Sequence, residues 1–269
     1  MDIHPLDAAL DLQALGGDRR LGRTRPDWAN MVGPFGGITA AQLLHAAWID
    51  PRRLGEPVAL TVNYAGPVAE EEFEIEALPL RTNRSTQHWS MTLRQGGAVC
   101  TSATAVFALR RPTWAAPELA MPAVPPAADV PAETRRPPVA WPARYEFRFV
   151  AGGWPDFRRP QELPESRSLL WVRDEPPRAL DFQSLAAIAD IFYPRVFRRR
   201  QRAVPAGTVT LTTYFHADAA ALAAQGARPL LAVAQGRRFN QGFFDQSAEL
   251  WSDDGHLLAS SHQLVYYKE

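Results

Sequence analysis

The chain has 269 residues, enough for one large domain or two of ordinary size. Apolar residues make up 46% and charged residues 22%, the balance of a soluble globular protein and not of a disordered one. The 29 Lys and Arg are matched by 29 Asp and Glu, so no net charge recruits nucleic acid or an anionic membrane.

The opening "MDIHPLDAALDLQALGG" is acidic and lacks the apolar run of a signal peptide, which makes the cytoplasm the default compartment. No window approaches the roughly 18 to 20 apolar residues that span a bilayer. Irregular sequence leads into "FGGITAAQLLHAAWI" (35–49), a glycine-bounded apolar helix rich in small side chains. "VALTVNYAGPV" (58–68) has strand character and a Gly-Pro stop. Three β-rich runs follow, "FEIEALPLRTN", "TQHWSMTLRQ" and "AVCTSATAVFALR", the last two parted by the turn signal Gln95-Gly96-Gly97. Cys100 lies in the last run, where a single cysteine reads as a small buried hydrophobe.

Proline then recurs too often for a helix or a central strand, so 113–142 reads as a Pro/Ala-rich extended linker between parts 1–112 and 143–269. The second part opens with "RYEFRFV" (144–150), alternating in period two, and "SRSLLWVR". "LAAIADIFYPRVF" (185–197) is a helix that is apolar all round except for Asp190, and such a helix is buried. "GTVTLTTYFHA", "PLLAVAQGRRF", "FFDQSAELWSDDG" and "HLLASSHQLVYYK" close the chain as strands. The same order therefore occurs twice: a mainly apolar helix, then four strands, the last pair joined by a short glycine turn. A repeat of that length points to duplication. One helix followed by a long antiparallel sheet is not a βαβ unit, so each sheet must curl around its helix, giving a tandem α+β architecture.

These segments resemble the double hotdog acyl-CoA thioesterases, the type II family. "PFGGITAAQLLHAA" is similar to the family's first hotdog helix, "ALTVNYAGPV" to the strand after it, and "YFHAD" to an aromatic-Phe-His of the second half. The resemblance implies two antiparallel sheets, each wrapped around one central helix, with 1–112 and 143–269 as the hotdog units and the catalytic residues in the second. It also implies hydrolysis of a fatty or other acyl-CoA to free acid and CoA by an Asp, a Ser or Thr, and a Gln. Asp190 matches the aspartate in an Asp-x-x-x-Pro context. Counting back from "YFH" gives Thr208, and "LLASSHQ" gives Gln263. The equivalent of Gln263 in the first half falls near Ala105, so one site per chain is expected. Fused halves imitating a dimer point to further assembly through exposed sheet surfaces, most simply a homodimer.

The residue types suit the reaction. A carboxylate in an apolar setting has a raised pKa and can take a proton from water, while Thr and Gln hold that water without competing charge. Gly36 and Gly37, opening the first helix, let backbone N–H groups approach an acyl group or oxyanion. Pro194 lacks the N–H that would bond the carbonyl of residue 190, so the helix is expected to bend or stop just beyond Asp190. In a regular strand Thr208 shares a face with Thr210, Thr212 and Tyr214, so Thr210 competes for the hydroxyl role. An ion pair of Asp190 with Arg195 or Arg198 is the competing reading of that carboxylate.

The arginines of "RVFRRRQR", and the pairs Arg81/Arg84 and Arg237/Arg238, read first as solvated charge, with contact to the phosphates of CoA as the sharper reading. No metal spacing, P-loop, dinucleotide fingerprint or Gly-x-Ser-x-Gly elbow occurs, so no cofactor is expected. A non-catalytic acyl-CoA or lipid-binding protein, and a hotdog dehydratase or hydratase, are the alternatives.

Overall fold

A computed structural model describes residues 3–269. The first half carries α1 (Pro5–Ala9), β1 (Gln13–Gly16), β2 (Arg19–Arg23), α2 (Gly36–Trp48), β3 (Glu56–Tyr64), β4 (Glu72–Thr82), β5 (Thr86–Gln95) and β6 (Ala98–Ala108). The second carries β7 (Tyr145–Ala151), β8 (Ser168–Asp174), α3 (Phe182–Ile188), α4 (Arg195–Arg200), β9 (Ala206–Phe215), α5 (Ala219–Gln225), β10 (Leu230–Gln235), β11 (Phe239–Asn240), β12 (Phe243–Trp251) and β13 (Leu257–Tyr267). Among the described residues no helix is long and apolar enough to cross a membrane.

All strands belong to one antiparallel sheet in the order β1-β2-β4-β5-β6-β3-β9-β13-β12-β10-β8-β7, with β11 folded onto β12. The two curled sheets thus run on into each other through β3 and β9. Thr61 lies opposite Thr212, their hydroxyl oxygens 3.0 Å apart, and the order reads the same way outward from that pair. A pseudo-twofold through it maps β3 onto β9, β6 onto β13, β5 onto β12 and β4 onto β10. Helices α2 and α3 lie side by side on the inner face, where a single apolar core extends across both halves. The α2 surface is almost wholly buried, which explains why it shows no polar stripe.

The Pro-rich connection is coil with short 3₁₀ turns, and it packs against the outer face of the second half-sheet. Val130 joins Leu169, Trp171, Leu231, Val233 and Trp251 there, and the Trp171 indole N–H donates to the carbonyl of Pro125 at 2.9 Å.

Four features differ from the sequence reading. The N-terminal segment is not irregular: α1 packs on the core, and β2 pairs with β4 to extend the sheet. β1 and β2 are short and mostly exposed, so they carry no alternation to read. Helix α5 also escaped notice, although Asp218 caps it by accepting the N–H of Ala221 at 2.8 Å.

The third difference concerns α3, which ends at Ile188, before Asp190 and not beyond it. The N–H groups of Asp190 and Ile191 bond the carbonyls three residues back, at 3.1 and 3.2 Å, and Pro194 caps the start of α4. The chain has therefore left the helix before proline could interrupt it.

The fourth is a β-bulge. Leu264 pairs with Thr210 and Val265 with Thr208, leaving Val209 as the extra residue. Val265 is buried and Leu264 exposed, so the bulge turns Thr208 inward while Thr210 stays on the outer face. The first half has the same bulge, between Pro57 and Ala59 opposite Phe107 and Val106.

Close approach of α2 and α3 depends on Gly37, where a Cβ would lie 2.5 Å from the carbonyl oxygen of Ala187. Gly37→Ala is expected to lower unfolding stability by about 1 to 3 kcal/mol through overpacking, measured as a reduced urea midpoint.

Candidate active site

The first turn of α2, the end of α3 and the middle of β13 converge on Asp190, which is 8% exposed. Gln263 reaches it because Ala259, Ser261, Gln263 and Val265 alternate on the inner face of β13 and are all buried. The Gln263 amide Nε2 donates to Asp190 Oδ1 at 2.6 Å. Thr208, turned inward by the bulge, donates its hydroxyl to Gln263 Oε1 at 3.4 Å. Asp190, Gln263 and Thr208 thus form a connected chain from three elements. Thr210 lies on the other side of the sheet.

Gly36 and Gly37 are the fourth component. The backbone N–H of Gly37 is directed at the Asp190 carboxylate. A Cβ on Gly36 would lie 2.7 Å from Asp190 Oδ2, so only glycine leaves the carboxylate room against the helix. Phe35, the N-cap, offers no side-chain acceptor, and the α2 terminus presents its open N–H groups and positive dipole end to the carboxylate side. Tyr64 closes the same corner, donating its hydroxyl to the Gly36 carbonyl at 2.8 Å. Burial first, and then the nearby Asp190 charge, push the Tyr64 phenol well above its usual range, so it stays protonated.

Asp190 itself is pushed up to about 7. Loss of hydration is the main cause, and the bonds from Gln263 and Gly37 oppose it without cancelling it. Among the described residues no cation offsets the burial. The Arg195 guanidinium is fully buried but donates to the carbonyls of Tyr193 and Ser166 and to the Ser168 hydroxyl. Its charge rests against the Tyr193 ring, 4.6 Å from the centroid. Arg198 makes no ion pair with Asp190 either, so among the described residues that carboxylate has no cationic partner.

Three histidines take no part in this cluster. His262 faces the opposite way from Gln263 and pairs with Asp245 at 3.2 Å. His45 meets the Gln183 amide at 3.3 Å, and His216 follows β9 and contacts the Ser260 hydroxyl. Among the described residues no group of three or more His, Cys, Asp or Glu could hold a metal. Two surface clefts, of about 550 and 830 Å³, are lined by neither Asp190, Thr208 nor Gln263.

Sequence reasoning missed Tyr64 and Gln246, and it set the Gly37 N–H against the substrate without its contact to Asp190. The aromatic of "VNYAGP" gives no signal of its own. Gln246 is the cross-strand partner of Gln263, buried, with its Nε2 engaged by no protein acceptor. Its inward position in the alternation of β12 could have drawn attention to it.

The pseudo-twofold accounts for a single cluster per chain. It maps Gln263 onto Ala105, since Leu211 pairs with Gln263 as Leu60 pairs with Ala105. It maps Thr208 onto Pro57, the corresponding residue beside the other bulge. Neither counterpart can make the bonds that hold Asp190.

Among curated proteins no significant match is found. A conserved protein of unknown function with a hot dog fold from Alicyclobacillus acidocaldarius is 48% identical, with a TM-score of 0.94 over 100% of this chain and 99% of that one. The tesB protein of Mycobacterium avium subsp. paratuberculosis is 18% identical, with a TM-score of 0.79 over 98% of each chain. Acyl-CoA thioesterase II TesB2 of Mycobacterium marinum is 20% identical, with a TM-score of 0.74 over 98% of each chain. At those two identities the likeness shows the fold. The acyl-CoA thioesterase N-terminal domain matches residues 24–108 and the C-terminal domain matches residues 121–267. The chain therefore belongs to the acyl-CoA thioesterase family, in its double hotdog form.

Proposed function

We propose that the protein hydrolyses acyl-CoA thioesters to free acid and CoA, with Asp190 as the base and Gln263 and Thr208 as the groups that aim the attacking water. The observation that carries this reading is the bond from Gln263 to a buried carboxylate that no cation pairs with among the described residues. A carboxyl group with its pKa near 7 is ionised in a useful fraction at neutral pH and still basic enough to accept a proton from water. The 2.6 Å bond fixes the carboxylate, and the Thr208 oxygen keeps lone pairs to accept from the same water.

The water oxygen attacks the thioester carbonyl carbon as its proton passes to Asp190. The carbonyl oxygen takes the electron pair and collapses back as the carbon–sulfur bond breaks. The proton held by Asp190 then goes to the departing thiolate, restoring the carboxylate. Gly36 and Gly37 place the α2 terminus against this centre, where backbone N–H groups can face the developing oxyanion. Once Asp190 is protonated, its hold on the Gly37 N–H weakens, which frees that donor when the negative charge has moved to the substrate.

The test is release of free thiol from a panel of acyl-CoAs. Asp190→Asn is expected to lower kcat by about a hundred- to ten-thousandfold. Gln263→Ala is expected to lower it by about ten- to a hundredfold, the cost of leaving a buried partner unpaired. Full activity in Asp190→Asn would sink the mechanism. No thiol release by the wild type from any acyl-CoA would leave the non-catalytic binding protein as the reading.

The bulge separates the two threonines. Thr208→Val is expected to reduce kcat by about tenfold, one hydrogen bond's worth, whereas Thr210→Val on the outer face leaves the rate within about twofold. Equal effects would place the hydroxyl role wrongly.

Stability should carry the same signature. Burial raises Asp190 to about 7 and Asp174 to about 6. Both lie above the unfolded value of about 3.9, so the folded state holds protons that the unfolded chain has released. That stabilisation is full below about pH 4 and drains away as pH rises through the folded values. Between pH 6 and 7 the decline belongs mainly to Asp190, at about 1 kcal/mol per pH unit or less. Urea unfolding across this range should show the decline in wild type and its loss in Asp190→Asn, while kcat of wild type rises with an apparent pKa near 7.

A further inference from the structure

Two arginine pairs lie far apart in the sequence but share one cleft. Arg199 and Arg200 end α4, Arg237 and Arg238 form the turn between β10 and β11, and together they border a hollow of about 550 Å³. Phe239 and Tyr267 supply aromatic surface to the same hollow. Arg199 is paired with Glu162 at 2.9 Å, and Arg200 with Glu269. Arg237 and Arg238 are exposed, and neither forms an ion pair among the described residues. Their backbone is held, because Asp245 Oδ1 accepts both of their N–H groups, at 3.1 and 2.9 Å.

A further buried guanidinium, that of Arg195, lies behind one residue of the cleft wall. Ser166 is that residue, accepting the Gly236 N–H on its hydroxyl at 2.9 Å and a bond from Arg195 on its carbonyl at 3.1 Å. Arg195 is buried with no carboxylate partner among the described residues, its donors on the Tyr193 and Ser166 carbonyls and the Ser168 hydroxyl. A buried cation in that condition favours an anion nearby.

The cleft also lies in register with the Asp190 cluster. Tyr267 is on the same alternating face of β13 as Gln263, four residues further on, or about 14 Å along the strand. The pantetheine arm of CoA spans about the length of five strand residues between its sulfur and its diphosphate.

We propose that this cleft binds the phosphorylated adenosine end of CoA, with Arg237 and Arg238 on the phosphates and Phe239 and Tyr267 against the adenine. Arginine suits phosphate because its planar fork donates two parallel bonds, and the aromatic rings offer faces to a base. Glu165 is the carboxylate in the lining that forms no ion pair among the described residues, and it opposes the phosphates. The assignment rests on the acyl-CoA reading above for the identity of the ligand.

Two measurements on the full chain test it separately from hydrolysis. The first is calorimetric titration with adenosine 3′,5′-bisphosphate, which needs no turnover. Arg237→Ala/Arg238→Ala should weaken binding by about tenfold or more, and Glu165→Gln should tighten it. The second is the ratio of kcat/KM for an acyl-CoA to that for the matching acyl-pantetheine, which should fall by about tenfold in the double variant, through KM. An unchanged bisphosphate affinity and an unchanged ratio would overturn the cleft while leaving hydrolysis intact. Arginine-dependent binding in a protein that releases no thiol would support the cleft and overturn the hydrolase.

Discussion

A single hydrogen bond, from the Gln263 amide to the Asp190 carboxylate, organises the second half of this chain. An ionised carboxylate without a cation is costly to bury, and the protein answers that cost with donors alone. Gln263, the Gly37 N–H and the positive end of α2 supply dipoles and no full charge. The distinction matters. A cation at the same place would hold the carboxyl low and make it a poor base. Dipoles lower the cost of burial and still leave the group pushed up to about 7. The arrangement also fixes distant choices: glycine at 36 and 37, the inward phase of β13, and the side-by-side placement of α2 and α3.

Duplication explains why the site is built across the two halves. The helix terminus comes from the first unit and all the side chains of the chain of bonds from the second. Both halves keep the bulge next to the central strand pair, but the residues beside it differ, Pro57 in one and Thr208 in the other. Bulges re-aim a side chain, and only one of these two has a hydroxyl to aim. With Ala105 in the place that corresponds to Gln263, the first half has the scaffold without the polar chain. Shared architecture with unequal side chains fits a duplication in which one copy kept the polar chain and the other kept the shape.

Much of this was legible in residue order because the signals were periodic or compositional. The Gly-Gly opening of α2, the alternation of β13 and the twofold recurrence of helix and strands all show in the sequence. Asp190 stood out because nothing polar surrounded it. The losses have physical causes. A bulge at Val209 changes strand phase by one residue, and no residue type announces it, so regular alternation kept Thr208 and Thr210 on one face and left them competing for the hydroxyl role. The short exposed strands β1 and β2 gain their structure from pairing with β4, which is a long-range contact and leaves no local pattern. The cleft gathers arginines separated by tens of residues, so charge runs read one by one looked like solvated surface.

The break between α3 and α4 completes the account of Asp190. Asp190 and Arg195 are both buried, carry opposite charge and stand five residues apart, yet they do not meet. In an uninterrupted helix, residues three and four apart share a face and residues five apart do not. Ending α3 at Ile188 and restarting at Pro194 re-aims the chain, and Arg195 turns instead to Tyr193, Ser166 and Ser168. Each charge then carries its own burial cost, where a salt bridge could have cancelled part of both. The separation costs stability and keeps two buried charges apart: a carboxylate at the Gln263 cluster, and a guanidinium held by Tyr193, Ser166 and Ser168. Pro194, as the N-cap of α4, opens the segment that carries Arg195 to these partners, after the chain has already left α3 at Ile188.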